Sequence, residues 1–472
     1  MPHRDTSLPT PSDTAAQELS AVLLDLLGPV DWSIRFRKHC GWAVPGLVAV
    51  ALLWAWSSKQ TLKERLAQAL RCARFGQLLV PLAPSYQAFL KLLVRWTKEL
   101  RARLQRRFQH LMETEFPDSF RLHRYVVLAA DGSKLRLART LSNEKRYSPT
   151  KARRKRKKHR PTSRAQRRAR SRQAQARQAR AKKADSPQMA LTLLHHVGLR
   201  LPWDWRWGPS ATDERQHLRE MIPNLPADAL VTADCGFVGY DFWSELLQSG
   251  RQFVIRVGGN VRLLKGLGVV RESQGVVYLW PDQAAKRRQP PLRLRLVVVQ
   301  GGRQPWYLVT SVLGPRRLTD RAVAEIYRRR WRIELFFRHF KQTYGRAKLR
   351  SQKAEHAECE AEWSLMGLWA VLLQAQRQLP RPESERLSVA GVLSAFGRAI
   401  DEPTCCLEEG QSLAARLERA LLDPYRRRNK TSRNYPRKKY EPLAGAPKIR
   451  PATKEQRQQA KEWLQPVERL TA

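Results

Sequence analysis

Cysteine is scarce. Six occur in 472 residues, at Cys40, Cys72, Cys235, Cys359, Cys405 and Cys406, and no two form a CxxC pair. That argues against a zinc ribbon or finger and fits a reducing compartment. An apolar run of membrane length is also missing. Trp42 to Trp56 holds Pro45 and Gly46 and is shorter than the roughly 18–20 residues a span needs. It reads as a buried helix, so no membrane partner is expected. The start, MPHRDTSLPTPSD, is polar and has no signal-peptide pattern, which makes the expected location cytoplasmic. Negative charge is the third deficit. Lys+Arg total 88 against 42 Asp+Glu, a net charge of +46. A surface that positive attracts polyanions, and nucleic acid is the commonest such partner.

What is present reads as two or three structural units. Residues from about 14 to 118 carry apolar positions at helical spacing, with a capping box at Thr61-Leu62-Lys63-Glu64. At Arg124 the pattern changes. RYVVLAAD is a short β-rich run ending in Asp131, and the spacing predicts a tight turn at Gly132-Ser133 with a second strand, KLRLAR, behind it. From Lys145 to Lys183 there are nineteen Lys/Arg and no acids, so this tract cannot bury a core and suits phosphate neutralisation. MALTLLHHVGLRLPWDWRWG is a strand candidate; adjacent His195 and His196 on a strand face opposite ways and do not share an ion. ALVTAD is another apolar run ending in an acid, Asp234. Strands alternating with helices give an α/β class with parallel pairing. Between Gly258 and about Pro305 several β-like runs look like an insertion, and PWYLVTSVL looks like a return to the core sheet. A long helical region follows the cap signal Thr319-Asp320 and reaches about Arg377. The segment from Tyr425 to Pro451 interleaves Tyr with Arg and Lys, which suits nucleic-acid backbone contact.

The helix after Thr319 carries the sharpest signal. Tyr327, Arg330, Glu334 and Lys341 are separated by three, four and seven residues and fall within roughly 60° of one another on a helix. One stripe thus holds a phenol, a guanidinium, a carboxylate and an ammonium beside an apolar face of Ile326, Ile333, Phe337 and Phe340. An ordinary Arg330–Glu334 surface pair is the plainer reading. Three carboxylates, Asp131, Asp234 and Glu334, suit two Mg²⁺ ions at a phosphodiester, with Arg330 and Lys341 on non-bridging oxygens.

The spacing Y-(2)-R-(3)-E-(6)-K resembles the signature of the insertion-sequence-four family of DDE transposases, and TADCGF and LAADGSKL look like its two aspartate motifs. The resemblance covers about Arg124 to Arg377. It implies a ribonuclease-H-like mixed sheet flanked by helices, with a β-rich insertion and an N-terminal helical domain. The expected divisions are 1–118 (helical, possible DNA contact), 119–377 (catalytic, with a basic insertion at 145–187 and the β-rich insertion at 258–305) and 378–472 (helical, with a basic Pro-rich tail). It further implies cut-and-paste transposition with Asp131, Asp234 and Glu334 as catalytic and metal residues. Two Mg²⁺ ions, or Mn²⁺ in their place, would serve, and Tyr327, Arg330 and Lys341 would hold phosphate. Trp280 would stack on a flipped base, although a core Trp is the plainer reading. The implied partners are double-stranded DNA, as transposon ends and target, and a second copy of the chain when paired on DNA. The implied setting is a prokaryotic cytoplasm, at the nucleoid. The basic tract departs from the family pattern. The residues alone leave open a nuclease without strand transfer and an inactive DNA-binding descendant.

Overall fold

The computed structural model describes residues 14–36, 40–148, 186–268, 275–300, 305–379, 386–405, 411–421 and 445–468. Nearly all of the basic tract, and the Tyr-interleaved tail up to residue 444, lie outside the described residues. The strands are β1 (Val126–Arg136), β2 (Gln188–His196), β3 (Leu201–Pro209), β4 (Ala229–Ala233), β5 (Gln252–Val257), β6 (Arg262–Lys265), β7 (Val276–Leu279), β8 (Leu292–Val299), β9 (Trp306–Thr310) and β10 (Lys448–Pro451). They form one mixed sheet in the order β10-β6-β7-β8-β9-β5-β4-β1-β2-β3.

Five of these strands make the core. β1, β2 and β3 form an antiparallel meander, and β4 and β5 join β1 in parallel. The order 3-2-1-4-5 with only β2 reversed is that of a ribonuclease-H-like domain. β4 is buried at all five positions, as a parallel strand covered on both faces must be.

The turn expected at Gly132-Ser133 is not there. β1 runs straight through it, with Asp131 opposite Leu193, Gly132 opposite Thr192 and Ser133 opposite Leu191. The partner strand comes from beyond the basic tract, so local turn chemistry carried no information about it. The run from Met189 to Gly208 is likewise two strands rather than one, joined by a turn in which Arg200 takes φ 58°. His195 and His196 do face apart. His195 packs on Phe336 at 5.4 Å and His196 stacks on Phe120 at 5.1 Å.

The β-rich insertion is not a separate layer. β8 pairs with β9, and β9 pairs with β5, so β6 to β8 extend the core sheet. β10 adds to its far edge in parallel with β6.

Thr319 caps its helix as the sequence indicates, accepting from the Ala322 amide at 3.2 Å. The region behind it is segmented rather than continuous. Asp320–Arg330 ends at Trp331, Arg332–Arg338 follows, a π-helical turn spans His339–Thr343, and Ala354–Gln378 starts only after a return loop in which Gly345 takes φ 71°.

Val44–Trp56 is buried at every position but Pro45. A helix apolar all round belongs inside a core. No helix among the described residues is long and apolar enough to cross a membrane. This helix packs on Ala354–Gln378, where the Trp56 Nε1 donates to the Gly367 carbonyl at 2.8 Å. The N- and C-terminal helical regions also interlock: the Ala15 amide donates to the Cys405 carbonyl at 3.1 Å, and the Leu413 amide to Glu18 at 2.6 Å. At Gly367 an added Cβ would sit 2.9 Å from the Ala55 Cβ and 3.2 Å from the Trp56 ring. Gly367→Val should therefore cost about 1–3 kcal/mol through overpacking, read as a lower urea midpoint with unchanged slope.

Candidate active site

The site begins with strand register. β1 and β4 are parallel neighbours, with Ala129 opposite Thr232. Asp131 and Asp234 each follow that last pair by two residues, and the two carboxyls feel each other's charge. Asp131 lies within β1, half-buried, and its carboxylate accepts from the Gly132 amide at 2.8 Å. Asp234 directly follows β4 and accepts from the Gly236 amide at 2.8 Å, capping a short turn over Cys235–Phe237.

The segmented helix supplies the third acid. Glu334 is half-buried and accepts from the Arg330 Nη2 at 2.9 Å. Arg330 is buried, lies 5.5 Å from the Tyr327 ring, and has a buried Nε with no hydrogen-bond partner. Tyr327 is buried too, packed edge-on against Trp306 at 5.7 Å. Lys341 lies in the π-helical turn, and such turns recur where a side chain must be re-aimed at a site.

The charges sense one another. Burial pushes the Asp131 carboxyl up to about 7; Gly132 and Arg330 oppose that rise, and Asp234 and Glu334 add to it. Burial lowers the Lys341 ammonium, with Asp131 opposing. Burial also works against the Arg330 charge, but Tyr327, Glu334 and Asp131 outweigh it and hold the guanidinium firmly protonated. The three acids and the Arg330 and Lys341 cations therefore share one electrostatic neighbourhood.

A fourth carboxylate, absent from the sequence reading, stands there as well. Glu214 opens the helix Glu214–Met221 and fills the space over Gly132, so that a Cβ at that glycine would collide with its carboxylate. Burial raises its carboxyl, and Asp234 and Asp213 raise it further. Nothing local marks it, because an acid in a first helical turn is ordinary dipole chemistry. Trp280 directly follows β7. It is buried, donates from Nε1 to the Gln289 carbonyl at 2.8 Å, and lines a cavity of about 680 Å³ whose other wall includes Cys235 and Gly236.

A fold of this topology with two aspartates side by side on β1 and β4 defines a class of polynucleotide-processing domain. The model of the transposase DDE domain family matches residues 122–369, and the chain belongs to that family. The chain is 28% identical over 178 residues to the transposase InsG of insertion sequence element IS4 from Escherichia coli (strain K12). That match takes in 35% of this chain and spans 38% of the relative's length. A solved piggyBac transposase synaptic complex with hairpin DNA overlaps 90% of this chain and 80% of its own at 10% identity, with a TM-score of 0.36.

Members of the family are metal-dependent. The donors here fit that chemistry: all are hard carboxylate oxygens, and Asp131 is raised by burial first and by Asp234 and Glu334 after it. Among the described residues, no group of three His, Cys, Asp or Glu is gathered tightly enough to hold an ion as it stands.

In the metal-free protein, the folded state keeps the Asp131 proton up to about pH 7, whereas the unfolded chain loses it near pH 4. Stability should thus fall as pH rises through that window. Asp131→Asn removes the loss. In chelator at pH 8 it should melt a few degrees above wild type, and at or below pH 4 the two should melt together.

Proposed function

We propose that this chain is a DNA transposase that cuts the ends of a mobile element and joins the freed 3′-hydroxyl to target DNA. The observation that carries this reading is the register that sets Asp131 beside Asp234, in one charge neighbourhood with the Arg330–Glu334 pair. Asp131, Asp234 and Glu334 would hold two Mg²⁺ ions, with Mn²⁺ able to substitute, and the ions would supply water or hydroxyl activation and leaving-oxygen stabilisation.

The chain's own groups do the positioning. Arg330 keeps Glu334 in place through Nη2, and its firmly held charge would draw a non-bridging phosphate oxygen. Tyr327 braces the guanidinium from below and offers its hydroxyl to the phosphate beside the cut. Lys341 neutralises the adjoining phosphate. Trp280 walls a cavity that starts one residue past Asp234, a place for a base drawn out of the stack. The substrates on this reading are double-stranded element ends and target DNA, with two copies of the chain pairing two ends. The setting is a prokaryotic nucleoid.

Substitution tests it. Asp131→Ala, Asp234→Ala or Glu334→Ala should lower Mg²⁺-dependent cleavage of end-bearing duplex by at least about 100-fold while DNA affinity survives. Full activity in any one removes that residue from the site. Arg330→Ala should lower the rate by about 10–100-fold. Joined products on a gel separate transposition from simple hydrolysis: cleavage without joining would leave a nuclease.

A further inference from the structure

Past Lys341 the chain turns back through Gly345 and meets the starts of two helices. A cavity of about 940 Å³ opens there. Its wall carries five cations, Lys63, Lys341, Lys348, Arg350 and Lys353, and no carboxylate. Lys63, Lys348 and Lys353 form no ion pair among the described residues. Arg350 spends its guanidinium on the neutral acceptors of Gln60, the carbonyl and the side-chain Oε1, so its charge stays uncompensated. The Glu360 carboxylate is buried and taken by the Arg350 amide at 3.0 Å, the Ser351 amide at 2.9 Å and the Ser351 hydroxyl at 2.8 Å, while the exposed Glu64 carboxylate accepts from the Thr61 amide at 3.1 Å.

Two helix N-termini add to this. Leu62–Phe75 follows Thr61, which forms a capping box with Glu64, and Ala354–Gln378 follows Lys353, with the Ala354 amide bonded to the Ser142 hydroxyl at 3.0 Å. Both Thr61 and Lys353 line the cavity, so both positive dipole ends border it. Lys341 forms part of the same wall and also feels the Asp131 charge. Through Lys341 the cavity reaches the neighbourhood of Asp131, and its sign is opposite to that of the acid.

We propose that this cavity is a track for the backbone of duplex DNA, holding two or three successive phosphates of the strand that leads away from the bond at Asp131, Asp234 and Glu334. The direction of the strand rests on the transposase reading; the binding itself does not. Lysine point charges grip phosphate without reading bases, so the track is indifferent to sequence. It joins the N-terminal helical region, through Lys63, to the catalytic sheet in one binding surface.

The test uses the full chain and a fluorescein-labelled 30-base-pair duplex of arbitrary sequence, in chelator, with anisotropy read from about 50 to 300 mM salt. Lys63→Ala/Lys348→Ala/Lys353→Ala should weaken binding at least about 10-fold at 150 mM salt. It should also flatten the log–log salt slope by about 2–3, since each lost phosphate contact removes about 0.9. Lys63→Arg/Lys348→Arg/Lys353→Arg, which keeps the charge, should bind as wild type does. An alanine triple with wild-type affinity and slope overturns the proposal. So does weaker binding with an unchanged slope, or an arginine triple as weak as the alanine one. A duplex RNA that outcompetes the DNA overturns the choice of partner. No chemistry is read, so loss of the metal-site reading would leave this result standing, and the converse holds.

Discussion

Asp131, Asp234 and Glu334 are near enough to feel one another's charge, and like charges repel. Asp131 and Asp234 share a row across parallel strands, and burial with that repulsion keeps the Asp131 carboxyl far above the usual carboxylate range. The site tolerates this because Arg330 is buried beside them with its own charge held firm. The guanidinium is held by the Tyr327 ring and the Glu334 carboxylate, and Tyr327 is held by Trp306 of β9. The sheet extension and the helix are therefore part of what keeps the acids together.

That dependence reaches further through Arg295. It lies on β8, buried, and reaches the N-terminal end of the helix that carries Tyr327 and Arg330: Asp320 at 3.3 Å and the Leu318 carbonyl. The β-rich insertion thus fixes where that helix starts. Its strands continue the core sheet, and a rigid sheet transmits position better than a tethered layer would.

The helical regions serve a second purpose. Val44–Trp56 and Ala354–Gln378 pack through Trp56 and Gly367, and the buried Arg346 donates to the Ala55 carbonyl at 2.6 Å from the loop past Lys341. Those contacts hold the N-terminal region against the return loop, where positive charge gathers beside the acids. Net charge of +46 is a bulk property; its placement at Lys63, Lys348 and Lys353 is a matter of packing.

Local chemistry made several features legible. The capping signals at Thr61 and Thr319, the all-apolar helix from Val44 and the buried run of β4 follow from side chains a few residues apart. The Tyr327–Arg330 and Arg330–Glu334 contacts follow from spacings of three and four, but the continuous helix assumed for a stripe reaching Lys341 is broken at Trp331 and widened at His339–Thr343. Not legible were the passage of β1 through Asp131, the second strand after Val197, the merging of the insertion with the core sheet, and Glu214 over Gly132. Each of these depends on a partner distant in the chain. By itself the sequence determined which residue types could do metal and phosphate chemistry and the type of the strongly periodic segments, because those depend on short-range sterics and periodicity. Only the tertiary structure decided that Asp131 and Asp234 lie in one row, that Glu214 joins them, and that the cations gather behind Lys341. Strand register and helix docking bring together groups far apart in the chain, and no local pattern encodes that.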